Sequence, residues 1–482
     1  MLKQRSDEQF GDNDEGEHAV ERTRLAAAWL QFARRLANHP LIRDRVPPRY
    51  QPTLFFETFY SVGSGSFLAF MLLTPVALKT VVPGTPFHLA LFGALMGGSS
   101  LLSPLVSYMG RRIPMRSLVV IPNLLVAVLL LATSIPSGGA TLFALVMGMA
   151  FVIRVFPRVA EMNMYRVNYP VTHRGSAVGW LRAVAAIAGL AITLFGYIWF
   201  ARFAATYWVV FCLVGTLLAV AAYSYSRIPV SRRNVFARPG EQGPWSAFVE
   251  GVKLFWQDKR FVLYQIGFAI PGFANHMAMM FVVQVLSEDV LAKQASTGSL
   301  PPFIREVLMD SWHLSQQQAI TVVVGFAFAV LPMLVTIASS PFWGRFVDRT
   351  TPMYARSIFN AVQCAAFVCH GYGGLTMKVW PFILGGVLQA LSSGGGTINW
   401  LTGSLYFAPR DRVSLYNAVH VCLTGIRGLI APAIGLWLYS PDGMNLGPSM
   451  FLVAAGLSLV GSFYMRARAA ADRGPRELLE VH

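Results

Sequence analysis

The stretch SPLVSYMGRRIPMRS, residues 103–117, reappears in altered form as SPFWGRFVDRTTPMYARS, residues 340–357. In both places a short basic segment containing Ser, Pro and Arg separates two long apolar runs. A second pair of segments, beginning at His173 and Asp411, repeats at a similar distance. Because the matched positions include polar loop residues, shared apolar composition alone does not explain the similarity. The sequence therefore predicts two related halves with the same orientation.

Outward from these loops, the chain divides into twelve apolar segments. A helix needs about 20 apolar residues to cross the hydrocarbon core of a bilayer. The chain is 55% hydrophobic and only 13% charged, whereas soluble domains carry about 25% charged residues. This composition excludes a soluble or disordered chain and predicts an all-α membrane protein with twelve transmembrane helices. The predicted segments are 54–79, 86–108, 117–134, 139–157, 175–200, 206–226, 261–286, 318–340, 355–374, 379–402, 414–439 and 447–465.

The polar stretches between these segments define the predicted domain organisation. Two six-helix bundles, 54–226 and 261–465, are joined by a polar linker at 227–260. An N-terminal arm, 1–53, precedes the first bundle, and a basic tail, 466–482, follows the second. The arm and the linker each contain apolar residues at helical spacing, so each is predicted to carry an amphipathic helix on the membrane surface.

The distribution of basic residues predicts the orientation in the membrane. The chain has 39 Lys and Arg against 23 Asp and Glu, a formal net charge of +16. Most of the basic residues lie in the two terminal segments, the linker and every second loop, which share one side of a twelve-helix topology. Basic loops mark the cytoplasmic side, so both termini are predicted to be cytoplasmic, in a bacterial inner membrane. A nucleic-acid-binding protein would instead concentrate its positive charge in one patch.

The sequence offers no pattern typical of an enzyme, metal or nucleotide site. The four cysteines lie in apolar segments, without the spacing of a disulfide framework or a metal site. A phosphate-binding loop of the type G-x-x-x-x-G-K-S/T, which ATP-driven transport would need, is not found. A membrane enzyme would need His, Asp and Glu clustered at one depth, and the sequence shows no such cluster. We therefore expect no enzymatic activity and no cofactor.

The two repeated loops resemble a motif of the major facilitator superfamily, G-x-x-x-D-R-x-G-R-R. The positions that match are Gly110, Arg111 and Arg112 in the first loop and Gly344, Asp348 and Arg349 in the second. Together with the two halves and the basic linker, the resemblance extends from about residue 50 to residue 466. It implies the fold of this superfamily, with two six-helix halves around a central cavity.

In the family, the acidic residue of this loop faces the start of a helix in the other half and latches the cytoplasmic gate. Only the second loop has the acid, Asp348, because Ser107 stands at the corresponding place in the first. The resemblance thus implies that Asp348 caps the start of the fifth segment near Arg174, where the helix dipole attracts it. The alternative is that all these residues are solvated loop charges.

Ionisable residues within the apolar segments mark the predicted substrate site. A charge at mid-bilayer costs roughly 2.5–3.5 kcal/mol on the insertion scale, so such residues tend to face a cavity. Arg182 and His420 occupy equivalent positions in the two halves, and Arg427 lies near the middle of the eleventh segment. Together with Asn417, they are predicted to line a central cavity. The alternative for the arginines is hydrogen bonding to backbone carbonyls of neighbouring helices.

Glu57 is the one acid clearly within an apolar segment. Withdrawal from water favours the protonated form of a carboxyl group unless a cation is near, so Glu57 is a candidate carrier of a coupling proton. It could equally be an interfacial charge paired with an arginine. Arg154, near the end of the fourth segment, is predicted to reach water or to pair with Glu161.

These features predict a secondary active transporter that moves a small solute across the membrane by alternating access. We expect a monomer surrounded by membrane lipid, with protons as one candidate coupling ion. Three arginines against one acid within the apolar segments favour an anionic solute. An exporter of hydrophobic or cationic drugs, and a transporter-like scaffold or sensor without transport, remain alternatives.

Overall fold

The computed structural model describes residues 46–109, 113–134, 139–169, 171–228, 244–408 and 413–472. Within these ranges the chain forms helices joined by short loops, with no β-strand. The predicted helix of the N-terminal arm and most of the predicted tail lie outside the described residues. The long helices, numbered as spans in chain order, are span 1, Gln51–Thr80; span 2, Pro86–Gly98 continued by Ser103–Met109; span 3, Met115–Leu131; span 4, Gly139–Asn168; span 5, Val171–Arg202; span 6, Trp208–Ser226; span 7, Lys259–Gln284; span 8, Gln316–Gly325 continued by Leu331–Asp348; span 9, Pro352–Leu375; span 10, Trp380–Thr402; span 11, Val413–Tyr439; and span 12, Met450–Ala470.

Nine helices in the described part of the chain are long and apolar enough to cross a membrane. The chain is therefore an integral, multi-pass membrane protein. The three spans below this threshold are 2, 9 and 10. Span 2 is short, and the other two interrupt their apolar residues with polar ones such as Asn360, Gln363 and Ser392. For these three spans, membrane crossing stays a prediction from the sequence.

The helices pack in two groups whose contacts repeat. Span 1 packs against spans 5 and 6, and span 7 packs correspondingly against spans 11 and 12. Span 3 contacts spans 4 and 6, as span 9 contacts spans 10 and 12. Between the groups, span 2 lies against span 11 and span 5 lies against span 8, which are again equivalent pairs. The helix contacts thus follow the internal repeat of the sequence.

Two helices extend well beyond the apolar segments from which they were predicted. Span 4 continues past residue 157 to Asn168, and span 8 continues past residue 340 to Asp348. Hydropathy detects only the part of a helix that suits lipid, whereas backbone hydrogen bonding continues through polar residues as well. The extension of span 4 matters because it places Arg158 and Glu161 on a helix instead of in a loop.

Two shorter helices define the sides of the bundle. A helix at Pro244–Gln257 ends the linker, and its Gly251 packs against Val419 near the start of span 11. We call this the linker side. On the opposite, far side, a short helix at Phe303–Ser311 precedes span 8. Span 8 begins with a capping box, in which Ser315 and Gln318 exchange side-chain and backbone hydrogen bonds.

Candidate functional site

A cavity of about 250 Å³ is lined by spans 7, 9, 10 and 11, and Arg158 of span 4 completes its wall. The cavity therefore lies at the boundary between the two groups of helices. Asn275 and Gln363, near the middle of spans 7 and 9, belong to its lining. Ser392 and Thr424 add hydroxyl groups from spans 10 and 11. The lining is thus polar and reaches the centre of the bundle.

Arg427, one of the predicted cavity residues, lies in this wall. Its buried guanidinium carbon is 4.7 Å from the centre of the Phe268 ring. One terminal nitrogen donates to the Phe268 carbonyl at 3.0 Å and the other to Thr424 Oγ1 at 3.1 Å. The guanidinium also packs on Gly272, where a Cβ would lie 2.6 Å from Arg427 Cζ. Arg427 therefore both bonds a neighbouring backbone carbonyl and faces the cavity.

Arg356, in the first turns of span 9, is a second buried arginine of the cavity. Its guanidinium carbon lies 4.0 Å from the centre of the same Phe268 ring. It has no hydrogen bond or ion pair with the residues that the structure describes, and its Nε atom is buried without a partner. A Cβ on Gly396 would lie 3.2 Å from Arg356 Nη1, so this glycine provides space for the guanidinium.

The cavity carries uncompensated positive charge. The charges of Arg356 and Arg427 repel each other, and none of the described residues that line the cavity is acidic. Burial of an unpaired ion costs several kcal/mol, while a desolvated cation–π contact returns only about 2 kcal/mol. Contact with the Phe268 ring therefore offsets only part of the cost of burying these two charges.

Arg158 brings a further positive charge to the cavity from the first group of helices. Its guanidinium carbon lies 5.0 Å from the ring centre of Trp400 on span 10, so this contact bridges the two groups. Arg182, predicted as a cavity residue, is exposed on span 5 and does not belong to the cavity lining. Its charge nevertheless repels that of Arg158. The first group of helices thus presents positive charge towards an already positive cavity.

His420 is buried directly behind the cavity wall. Its Nδ1 atom lies 2.9 Å from Gln265 Oε1, and its ring centre lies 4.7 Å from that of Phe268 and 5.8 Å from that of Trp400. His420 therefore supports the two rings on which the cavity arginines stack. The predicted Asn417, one turn earlier, is half-buried and lies outside the cavity lining.

Glu57 belongs to a separate polar site in the first group of helices. It is fully buried and accepts hydrogen bonds from Asn168 Nδ2 and Tyr169 Oη, both at 2.6 Å. It forms no ion pair with a described residue, so no described arginine neutralises it. A carboxyl group with neutral partners can accept their hydrogen bonds when charged and can donate one itself when protonated.

Arg154 forms the predicted pair with Glu161, with 3.0 Å between Nη1 and Oε1. Its other terminal nitrogen donates to Ser64 Oγ at 2.8 Å, and the Tyr60 hydroxyl donates to the same Glu161 carboxylate. This network is buried and joins spans 1 and 4. Arg154 is therefore neutralised by a neighbour, in contrast to the two buried arginines of the cavity.

The two groups of helices also contact each other on the far side of the bundle. Lys79 at the end of span 1 forms an ion pair with Glu288, which lies in a π-helical extension of span 7. Nearby, Gly325 of span 8 packs directly on the Tyr197 ring of span 5. Span 7 runs from the linker side to the far side, and Glu288 comes after the cavity residue Asn275 along this direction. The contacts therefore lie between the cavity and the far side.

The predicted gate latch lies largely outside the described residues. This holds for the loop residues Gly110, Arg111 and Arg112, for the surroundings of Gly344 and for the side chains of Asp348 and Arg174. Arg349 is described, and it is exposed immediately after the end of span 8. The latch therefore stays a prediction from the family resemblance.

Hydropathy did not identify Arg356 and Arg158 as cavity residues, because each lies at the polar end of an apolar segment. A different signal was available for Arg356. It is followed by Asn360 and Gln363 at intervals of four and three residues, which places all three on one helix face. No comparable periodicity marks Arg158, whose position depends on the unexpected extension of span 4.

No protein-family model matches the chain, and no curated protein matches its sequence significantly. Solved transporter structures do match its fold. A mutant of the nucleoside transporter NupG is 12% identical, with a TM-score of 0.64, over 86% of this chain and 98% of that chain. A mutant of the peptide transporter POT is 14% identical, with a TM-score of 0.58, over 87% and 94%. A bacterial homolog of the human lysosomal transporter Spinster, in an inward-facing conformation, is 14% identical, with a TM-score of 0.51, over 87% and 96%.

These similarities identify the fold of the chain. At such low identity a structural match carries no information about the solute. A shared fold does not imply that the cavities are lined by the same residues. The predicted all-α fold with two related helix groups is confirmed, and it is shared with these solved transporters.

Proposed function

We propose that the chain is a secondary active transporter that moves a small solute across the membrane by alternating access. The observation that carries this proposal is the polar cavity at the boundary between two repeated helix groups, which also contact each other on the far side. A site at such a boundary becomes accessible from each side in turn when the groups rock against each other. The solved neighbours include a nucleoside transporter and a peptide transporter, and the proposal extends the transport role to this chain.

The linker side is proposed to be cytoplasmic, with both termini on that side and the membrane a bacterial inner membrane. Support comes from the basic residues of the linker and of every second loop. With this orientation, the ion pair of Lys79 and Glu288 closes the path to the periplasm. The six-helix bundles at 54–226 and 261–465 are the proposed moving units, and the protein is proposed to act as a monomer.

The transported solute is proposed to be anionic. Arg356 and Arg427 are buried in the cavity wall without an acidic partner among the described residues, and Arg158 adds a third positive charge. A cationic solute would have to enter against this charge, which like-charge repulsion disfavours. The alternative of cationic drug export therefore has less support than it had from the sequence.

Transport itself is tested with the purified full-length protein in proteoliposomes. Radiolabelled small anions, nucleosides and dipeptides are offered with and without an imposed pH gradient, and protein-free liposomes serve as the control. We expect saturable uptake of at least one small anion. Absence of uptake of every solute under both conditions would contradict the proposal and favour a scaffold or sensor role.

Glu57 is proposed to carry a coupling proton. Replacing it with glutamine in Glu57→Gln preserves the size of the side chain but removes the exchangeable proton. We expect uptake driven by a pH gradient to be at least about tenfold slower in the variant, since a neutral amide cannot bind and release the coupling proton. Exchange of labelled for unlabelled solute, measured without a gradient, is expected to continue. Full pH-driven uptake in the variant would remove Glu57 as the coupling site.

A further inference from the structure

We propose that the cavity binds a doubly charged oxyanion, a phosphate monoester or inorganic phosphate, with Arg356 and Arg427 as its two ligands beside the Phe268 ring. The proposal rests on the proposed function in one respect, that the bound anion is the transported solute. The binding site itself is argued from the geometry of the cavity, and its occupancy can be measured without transport.

The two guanidiniums contact the same aromatic ring, and both arginines line the same cavity. Their central carbons lie 4.0 and 4.7 Å from the centre of the same Phe268 ring. Two glycines create the space, because a Cβ on Gly272 would lie 2.6 Å from Arg427 Cζ and a Cβ on Gly396 would lie 3.2 Å from Arg356 Nη1. Both arginines are more than nine-tenths buried, with 7% and 9% of their surfaces exposed.

Hydrogen-bonding capacity remains open on both side chains. Nε of Arg356 and Nε of Arg427 are buried without a partner. Arg427 uses one N–H of each terminal nitrogen for a protein group, which is two of its five donors, whereas Arg356 donates to none of the described residues. A guanidinium presents five N–H donors in a planar fork that matches the oxygens of a phosphate group.

The charge balance favours two negative charges over one. Arg356 and Arg427 together carry two positive charges that repel each other, and no described acid lines the cavity. A monoanion would leave one of these charges uncompensated. A phosphate monoester carries between about −1.5 and −2 charges at pH 7, so a single such group can compensate both guanidiniums.

The rest of the cavity indicates a small and polar remainder of the solute. Its volume of about 250 Å³ lies just below the range of roughly 300–1,000 Å³ that ordinary ligand pockets occupy. Away from the two arginines, Asn275, Ser392 and Thr397 provide amide and hydroxyl groups. These groups suit a short hydroxylated solute better than an extended apolar one.

The test compares nearly isosteric ligands that differ by one charge. The full-length protein is purified in detergent, and its thermal unfolding is followed while glycerol 2-phosphate, glycerol 2-sulfate, succinate, inorganic phosphate or glycerol is added at constant ionic strength. A ligand that binds the native state raises the unfolding temperature. We expect the phosphate ester to bind at least about tenfold more tightly than the singly charged sulfate ester at pH 7.5. This preference should shrink below pH 6, where the phosphate ester gains a proton.

Matched variants locate the effect. Arg356→Gln is expected to weaken binding of the phosphate ester by at least about tenfold, the loss expected when charge-assisted hydrogen bonds are removed. Arg356→Lys retains the charge but loses the planar fork, and an intermediate loss is expected. The control is Arg466→Gln, because Arg466 also stacks on a ring, that of Tyr354 at 4.4 Å, but is exposed at the end of span 12 and lies outside the cavity. The Arg466→Gln variant should bind the phosphate ester as tightly as the unchanged protein does.

Each other outcome overturns the proposal in a specific way. Equal binding of the phosphate and sulfate esters would show that charge number is not recognised, and tighter binding of succinate would show that two separate carboxylates are the ligands. An equal loss in Arg466→Gln would indicate non-specific attraction. If the ester binds but is not transported, the binding site stands, and its identification with the transported solute fails. If another solute is transported and the ester does not bind, only the oxyanion site fails.

Discussion

Replacing Arg427 with glutamine is expected to abolish solute transport while raising the thermal stability of the protein. Arg427 lies in the cavity wall, close to a second buried guanidinium and with no acidic partner among the described residues. Loss of two charge-assisted hydrogen bonds to a bound anion would weaken binding by about 3 kcal/mol, or roughly 100-fold. In the empty protein, however, the substitution removes a buried like-charge repulsion. Replacement of buried charges by neutral groups stabilises some proteins by about 1–4 kcal/mol.

The opposite effect is expected for Arg154→Gln, the matched control in the same chain. Arg154 is equally buried but forms an ion pair with Glu161 at 3.0 Å and donates to Ser64 at 2.8 Å. Its removal leaves a buried carboxylate without its cation, which costs about 3–5 kcal/mol. Thermal unfolding of both variants in detergent, together with uptake in proteoliposomes, separates the two roles. If Arg427→Gln were destabilised as strongly as Arg154→Gln, Arg427 would be a structural residue, and its place in a functional site would have to be given up.

The contrast between these two arginines shows where sequence reasoning reaches its limit. Both are intramembrane arginines in the sequence, and the pairing of Arg154 with Glu161 was predictable because the two residues lie only seven apart in the chain. The partner of Arg427 is an aromatic ring on another helix, Phe268, and no periodicity within span 11 indicates that contact. The fold was predictable in outline because lipid imposes length and composition on each helix. The site was predictable only in part because it depends on how helices face each other.

Arg182 and His420 illustrate the same limit in the internal repeat. Their equivalent positions in the two halves predict equivalent places in the fold, and they lie on equivalent spans, 5 and 11. The surroundings differ, however, since Arg182 is exposed while His420 is fully buried against the Phe268 ring. Sequence repetition therefore fixes the position of a residue in the backbone architecture. It does not fix burial, because burial also depends on the side chains that the neighbouring spans contribute.

Span 2 and span 11 meet backbone to backbone between the two helix groups, and a single methyl group placed there is expected to disrupt transport. A Cβ added to Gly428 would lie 2.6 Å from the Cα and carbonyl carbon of Gly97, and a Cβ added to Gly97 would lie 2.6 Å from the Cα of Gly428. Both contacts are with backbone atoms, which cannot rotate away as a side chain can. In Gly428→Ala the two helices must therefore separate along the surface on which the groups are proposed to rock.

This separation is expected to lower the free energy of unfolding by about 1–3 kcal/mol, the usual result of overpacking. Uptake is expected to fall at least about tenfold, since 1.4 kcal/mol corresponds to tenfold in an equilibrium. The matched control is Gly456→Ala in span 12, where a Cβ would meet nothing within 4 Å. Alanine is favoured over glycine in helices by about 1 kcal/mol, so this control should be slightly stabilised and fully active.

Because Gly97 and Gly428 face each other, the double alanine variant should be less impaired than the sum of the single variants, as the first separation already makes room for the second methyl group. If Gly428→Ala matched Gly456→Ala in both unfolding temperature and uptake, the contact between spans 2 and 11 would not be a constraint on the moving parts of the transporter.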